Sequence, residues 1–247
     1  MNTKKEKHNS EPISSALNYL NSGRYVLPSF QRDYVWNMDQ IENLFNSIYL
    51  GYPFGTMLFW RISLSNEDTN ELGKESFYHF PINYHEIKSN QAPKPSPLFP
   101  NTDYWVVLDG QQRLTSLNLG LLGSFSQRAR YQRKDNPDCP EYKLYMLVSK
   151  DSDNPFKFLK TADTRNAEFY IDDKKRERWL LVRTVFYAEK TRDLIKTFGI
   201  TDEADEDRIS AFKYALDNLK IEFTEITGFD YNEAKKNICQ VERMVKR

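Results

Sequence analysis

The sequence predicts an α+β fold: a mixed sheet with helices to about residue 175, then a helical extension. Three observations carry this expectation. Short apolar runs of strand character, RYVL (24–27), TMLFWRI (56–62), YWVVL (104–108) and YKLYMLV (142–148), alternate with segments of helical spacing. From Trp179 onward the character changes, and the stretches WLLVRTVFYAEKTRDLIKTFG, EDRISAFKYALDNL and FDYNEAKKNICQVERMVKR all favour helices. The 15 tyrosines and 16 phenylalanines supply an aromatic core and argue against general disorder.

Along the chain, residues 1–11 are polar and are expected to form a flexible tail. Ile13, Ala16, Leu17 and Leu20 repeat at helical spacing, with Gly23 to end that helix. After the strand at 24–27, Asn37 is placed to cap a helix, with Gln40 at the capping-box position. Ile41, Leu44, Phe45 and Ile48 form its apolar stripe, and Gly51 is its stop. FYHFPINY (77–84) has the look of one strand or two, while the prolines of QAPKPSPLFP (91–100) demand an irregular loop. Leu114, Leu117, Leu121 and Leu122 mark a helix directly after the 104–108 strand, with Gly123 behind it, and EFYI (168–171) adds one more strand. The organisation expected is a tail (1–11), a core domain (12–175) and a helical extension (176–247). The last segment runs charged and helical to Arg247 without a stop signal, so it is expected to be truncated, its exposed apolar stripes favouring a homo-oligomer.

Composition bounds the function. At 247 residues the chain is near the upper size of one hydrophobic core. No apolar run approaches the ~20 residues of a membrane span, and MNTKKEKHNSEP lacks the apolar region of a secretory signal. Cys139 and Cys239 are then expected as reduced thiols of a cytoplasmic protein. The formal net charge is +0, which exerts no global pull on nucleic acid. Its distribution is uneven. Arg128, Arg130, Arg133 and Lys134 form one basic cluster, and Lys174, Lys175, Arg176 and Arg178 another, with an acidic run from Asp202 to Asp207. Such clusters are ordinary solvated loops and helix ends, or they line a groove for DNA phosphates with Tyr131 and Trp179 interleaved.

The densest chemistry lies in VVLDGQQRLTSLNLG (106–120). A strand that turns through glycine into a helix exposes unpaired N–H groups, and the helix dipole adds about half a positive charge there. Phosphate is the usual anion for such a corner. Gly110 admits a bulky ligand close to the backbone. Arg113 opposes the dipole in the first turn, a placement that hints at a phosphate clamp. Gln111 and Gln112 can donate to phosphate or orient a water, and Asp109 can hold Mg²⁺ or polarise that water. The plainer alternative is a turn in which Asp109 caps the helix and Arg113 makes a surface ion pair. A second constellation, PSFQRDYVW (28–36), offers Gln31 and Arg32 to phosphate and Tyr34 or Trp36 to a base; Phe30, Val35 and Trp36 can equally be core residues.

Together, FQRDYVW, NMDQIENLFNSIYLGYPFGTMLFW and LDGQQRLTSL resemble the N-terminal domain of GmrSD-type restriction proteins, clearly over residues 12–122 and more loosely beyond. The resemblance implies a ParB/sulfiredoxin-like fold in which the DGQQR motif, here Asp109 to Arg113, binds and hydrolyses a nucleoside triphosphate, with Gln31 and Arg32 as its upstream partner. It also implies a role in defence against phage DNA, often modified DNA, alongside an HNH-type nuclease domain or partner subunit. The chain departs from the family where VERMVKR stops, and His8, His79 and His85 lack neighbours at metal-ligand spacing, so no HNH nuclease is expected in these residues. Neither a GxxxxGK loop nor a GxGxxG turn is present. The leading expectation is a Mg²⁺-dependent triphosphatase or sensor module that gates a nuclease. The alternatives are a module that senses modified DNA and a ParB-like DNA-nicking domain.

Overall fold

The computed structural model describes residues 5–28, 33–63, 77–86, 96, 98–128 and 139–227, and it is an α+β fold. Two mixed sheets hold it together. The first has strand order β1 (Lys5–Pro12), β12 (Lys220–Thr227), β3 (Thr56–Ser63), β6 (Asp103–Asp109), β2 (Tyr25–Pro28) and β4 (Phe77–Tyr78). The second runs β10 (Phe169–Asp172), β11 (Glu177–Leu181), β8 (Glu141–Leu147), β7 (Ser124–Ser126) and β5 (Asn83–His85), with β9 (Phe156–Lys160) on the other edge of β8. Among the described residues the helices are α1 (Ile13–Asn21), α2 (Met38–Tyr49), α3 (Gln111–Leu121), α4 (Thr161–Thr164), α5 (Val182–Tyr187), α6 (Thr191–Phe198) and α7 (Glu203–Asn218).

The local signals in the sequence act as their chemistry requires. Ile13, Ala16, Leu17 and Leu20 are the buried face of α1. Asn37 and Gln40 close a reciprocal capping box at the start of α2, each side chain accepting from the other residue's N–H at 2.9 and 3.0 Å. FYHFPINY divides into β4 and β5, which join different sheets.

The central element is α3. Its leucines are buried as the stripe demands, yet Thr115, Ser116, Asn118 and Gly120 on its other faces are buried too. A helix enclosed on all sides belongs to the interior, and α3 packs against α2, α5, β7 and β8. Gly120 makes this possible, because a Cβ there would overlap the Phe45 ring of α2.

Three expectations about organisation give way. Residues 5–12, expected within a flexible tail, form β1, fully paired antiparallel to β12 from Lys5↔Thr227 to Pro12↔Lys220. The expected boundary near residue 175 falls in the turn of the β10–β11 hairpin, so the chain continues one sheet across it. WLLV opens as strand β11 rather than helix, and the segment after α7 returns as β12 to lie between β1 and β3. The extension is therefore helical only in part, and its strand β12 completes the first sheet. The helix expected over FDYNEAKKNICQVERMVKR, together with Cys239, lies outside the described residues.

Candidate functional site

The corner opens on a bulge. Phe59 of β3 faces Val107 while Leu58 faces Asp109, so Leu108 is one residue in excess on β6. Such an insertion re-aims the side chains that follow. Gly110 comes next with φ 93°, a left-handed conformation that costs glycine nothing and other residues ~1–2 kcal/mol. A Cβ at that position would also lie 2.5 Å from Met57 Cγ. The chain then enters α3, whose N-terminus carries no side-chain cap and no acidic residue in its first turn. The alternative in which Asp109 caps the helix is therefore not realised.

The four polar residues of the motif do different work. Gln111 is buried, and its amide donates to the Val107 carbonyl at 2.6 Å, which locks the turn onto β6. Gln112 reaches to the upstream motif. Its Oε1 accepts from Val35 N at 3.0 Å, and its Nε2 donates to the Asp33 carbonyl at 3.2 Å. Arg113 reaches the other way. Nη1 donates to the Phe54 carbonyl at 2.8 Å, Nη2 to the Thr56 carbonyl at 3.1 Å and to Asp109 Oδ2 at 3.4 Å. Its guanidinium also lies over the Phe54 ring, 5.9 Å from the centroid. Gly55, with φ 82°, leaves room for that guanidinium where a Cβ would strike it. Only Asp109 keeps an open side chain, 68% exposed.

Thus three separated stretches, DYVW (33–36), FGT (54–56) and DGQQR (109–113), are hydrogen-bonded into one corner. The first and third are the polar motifs of the sequence; Phe54, Gly55 and Thr56 belong to the GYPFGT segment that carries the family resemblance, and their carbonyls give no chemical signal of this role in the sequence. Tyr34 is placed differently from the expectation of a base-stacking ring. Its hydroxyl pairs with Ser116 Oγ at 2.8 Å, its ring meets Tyr84 edge-on at 5.5 Å, and burial pushes its phenol pKa up. Trp36 is half-buried. Gln31 and Arg32 lie outside the described residues.

The DNA-facing candidates separate as well. Arg130, Arg133 and Lys134 lie outside the described residues, as does Tyr131. Arg128 donates its backbone N–H to Glu86 at 2.7 Å. Lys174, Lys175 and Arg176 are exposed on the β10–β11 turn, where Asp172 Oδ1 accepts from the Lys174 and Lys175 N–H groups. Trp179 is 6% exposed, so it forms the floor of that region and not a free stacking platform. Arg178 is drawn away to pair with Asp205.

As to metals, the described residues contain no group of three or more His, Cys, Asp or Glu side chains arranged to hold an ion. Among the described residues Asp109 is the exposed carboxylate of the motif. Mg²⁺ commonly takes one or two carboxylates and fills its shell with water and phosphate oxygens, and a lone exposed aspartate fits that mode. Among the described residues no helix is long and apolar enough to cross a membrane.

Comparison with known proteins agrees with the motifs. The family described as GmrSD restriction endonuclease, N-terminal domain, matches residues 13–241. An uncharacterized protein of Methanocaldococcus jannaschii is 27% identical over 166 residues, which cover 67% of this chain and 26% of that protein. The match thus spans about a quarter of that relative's length.

Proposed function

Because the chain belongs to the GmrSD restriction endonuclease N-terminal-domain family, we propose that its α3 corner binds and hydrolyses a nucleoside triphosphate and so gates a DNA nuclease domain outside these residues. The observation that carries this reading is the way Gln112 and Arg113 tie two distant segments around an uncapped helix N-terminus. The first-turn N–H groups and the dipole supply a preorganised anion site. Arg113 adds its charge without being the clamp: its Nη atoms are held by the Phe54 and Thr56 carbonyls, and its charge is shared with the exposed Asp109 carboxylate at 3.4 Å. Arg32, next to the tethered Asp33, is the second proposed cation, with Gln31 beside it, and Trp36 is the remaining aromatic for a base.

Asp109 is the proposed catalytic residue, holding Mg²⁺ or the attacking water. Gln111, Gln112 and Arg113 become positioning residues. Mg²⁺, when bound with the nucleotide, would supply charge neutralisation on the phosphates. Phosphoryl transfer depends mostly on positioning and electrostatics, so the residues assigned here need only place one carboxylate and the metal against the bound phosphates.

The test is calorimetric titration of each common nucleoside triphosphate with and without Mg²⁺, followed by turnover in the complete protein. Asp109→Asn is the sharper variant, because that side chain is exposed and removing its charge leaves the corner's other bonds in place. Turnover should fall by about 100-fold or more, a loss of ~2.7 kcal/mol in transition-state stabilisation, with the melting temperature unchanged. No heat with any triphosphate, or full turnover by Asp109→Asn, defeats the proposal.

A further inference from the structure

We infer that the outer face of the second sheet is a nucleic-acid contact site, shaped to hold an unstacked base of a single strand between two lines of lysine. The inference is independent of the α3 corner. Along β8, β9, β10 and β11 alternate residues turn away from the main core. Tyr145, Leu147, Trp179 and Leu181 form a separate apolar cluster there, with Leu159 and Tyr170 packed against it. Over this floor lies a cleft of about 390 Å³, at the small end of the ~300–1,000 Å³ that ligand sites occupy.

Charge borders the floor. Four lysines line the cleft, and two are matched: Lys150 with Glu177 at 2.8 Å, and Lys175 with Asp172 at 3.9 Å. Lys157 and Lys160, both on β9, form no ion pair among the described residues, although Glu42 acts on Lys157 at longer range. Asp163 is the remaining acid of the lining. On the opposite flank, the β10–β11 turn presents Lys174, Lys175 and Arg176, which outnumber Asp172 and the exposed Asp173 beside them. β9 and β10 are three strand spacings of about 4.8 Å apart. A positive line therefore stands on each side of an aromatic floor.

A single strand carries a phosphate on both sides of every base, and its bases stack on aromatic rings with little regard to sequence. The half-buried Tyr170 is the ring available for that contact. Trp179 is fixed beneath, with its indole N–H on Glu177 Oε2 at 3.2 Å. Lys157 and Lys160 receive the phosphate on one flank, and the turn lysines the next. An acidic protein segment would use the charge but would leave the aromatic floor without a partner.

The test follows the full chain binding a labelled single-stranded oligonucleotide of about 12 nucleotides, by anisotropy across a salt series. Lys157→Ala with Lys160→Ala should lower affinity about ten-fold and reduce the salt slope by roughly 1.4, two single-strand phosphate contacts. Lys157→Arg with Lys160→Arg should restore the slope. Tyr170→Ala should weaken binding about ten-fold with the slope unchanged. Asp109→Asn should leave all of this unaltered, which separates failure here from failure at the α3 corner. A double-alanine variant with wild-type affinity and slope overturns the inference. So does a Tyr170→Ala variant that binds normally, or poly-glutamate of equal charge binding as tightly as the oligonucleotide.

Discussion

Two helices of this protein begin in opposite ways. At α7, Asp202 caps the N-terminus, accepting from the N–H groups of Ala204 and Asp205 at 3.0 and 3.4 Å, and Glu203, Asp205 and Glu206 fill the first turn. Asp205 is buried between Arg178 and Arg208. The dipole and the orphan donors are satisfied by the chain itself. At α3 there is no cap and no acid, and an arginine stands where an acid would help the helix. The same backbone chemistry is thus closed at one site and left open at the other. α1 and α5 also begin without a side-chain cap or a first-turn acid; what sets α3 apart is that Gln112 and Arg113 tie two distant segments around its start, and this is the terminus proposed to hold an anion.

The largest expected effect lies at the closed site. Asp205→Ala strips the shared partner from two guanidiniums and should cost about 3 kcal/mol in urea denaturation. Nucleotide affinity of the folded variant should stay as in the wild type; a parallel loss would erase the distinction between the two termini. Next comes Gly110→Ala. Left-handed backbone and the collision with Met57 should together cost about 2 kcal/mol, and here nucleotide affinity should fall as well, because the turn aims the first-turn N–H groups. Asp202→Ala removes an ordinary cap and should cost about 1 kcal/mol in the same assay, with triphosphate turnover untouched.

The contrast between the two termini also marks how far the sequence could be followed. Asp202 and its acidic neighbours were visible as a cluster, but their role as cap and buried ion network needed Arg178, a residue that sequence grouped with a basic surface patch. At α3 the motif announced itself, and strand, glycine and helix fell where periodicity put them. The partners of Gln112 and Arg113 did not, because carbonyls carry no sequence signature: any residues at positions 33, 54 and 56 would offer the same oxygens. β1 failed for a related reason. KEKHNSEP has no apolar face, and it is a strand only because β12 lends it a ladder. β12 itself was legible in principle. Ile221, Phe223 and Glu225 alternate inward, the last an acid that accepts from Trp105 Nε1 at 2.8 Å, and that buried charge disguises the period of two.

The smallest effect carries the same division between satisfied and open groups into the cleft. Glu177 is satisfied: Lys150 donates to it at 2.8 Å and the Trp179 indole at 3.2 Å. The bond from Lys150 is the chief reason its carboxyl lies below the ordinary glutamate value. A carboxyl whose pKa is lowered by folding adds stability above its unfolded pKa of about 4.3, and that stability is lost as pH falls through the folded value. Lys150 is 54% exposed, so solvent screens the pair and the contribution should be only about 0.5 kcal/mol. Glu177→Gln should therefore be less stable than the wild type at neutral pH by that amount, and the gap should close as the pH drops below the glutamate range. A gap that stayed constant with pH would mean that Lys150 is not neutralised by Glu177. The cleft would then hold three open lysines instead of two, and the salt slope for oligonucleotide binding would have to be larger by roughly 0.7 than Lys157 and Lys160 explain.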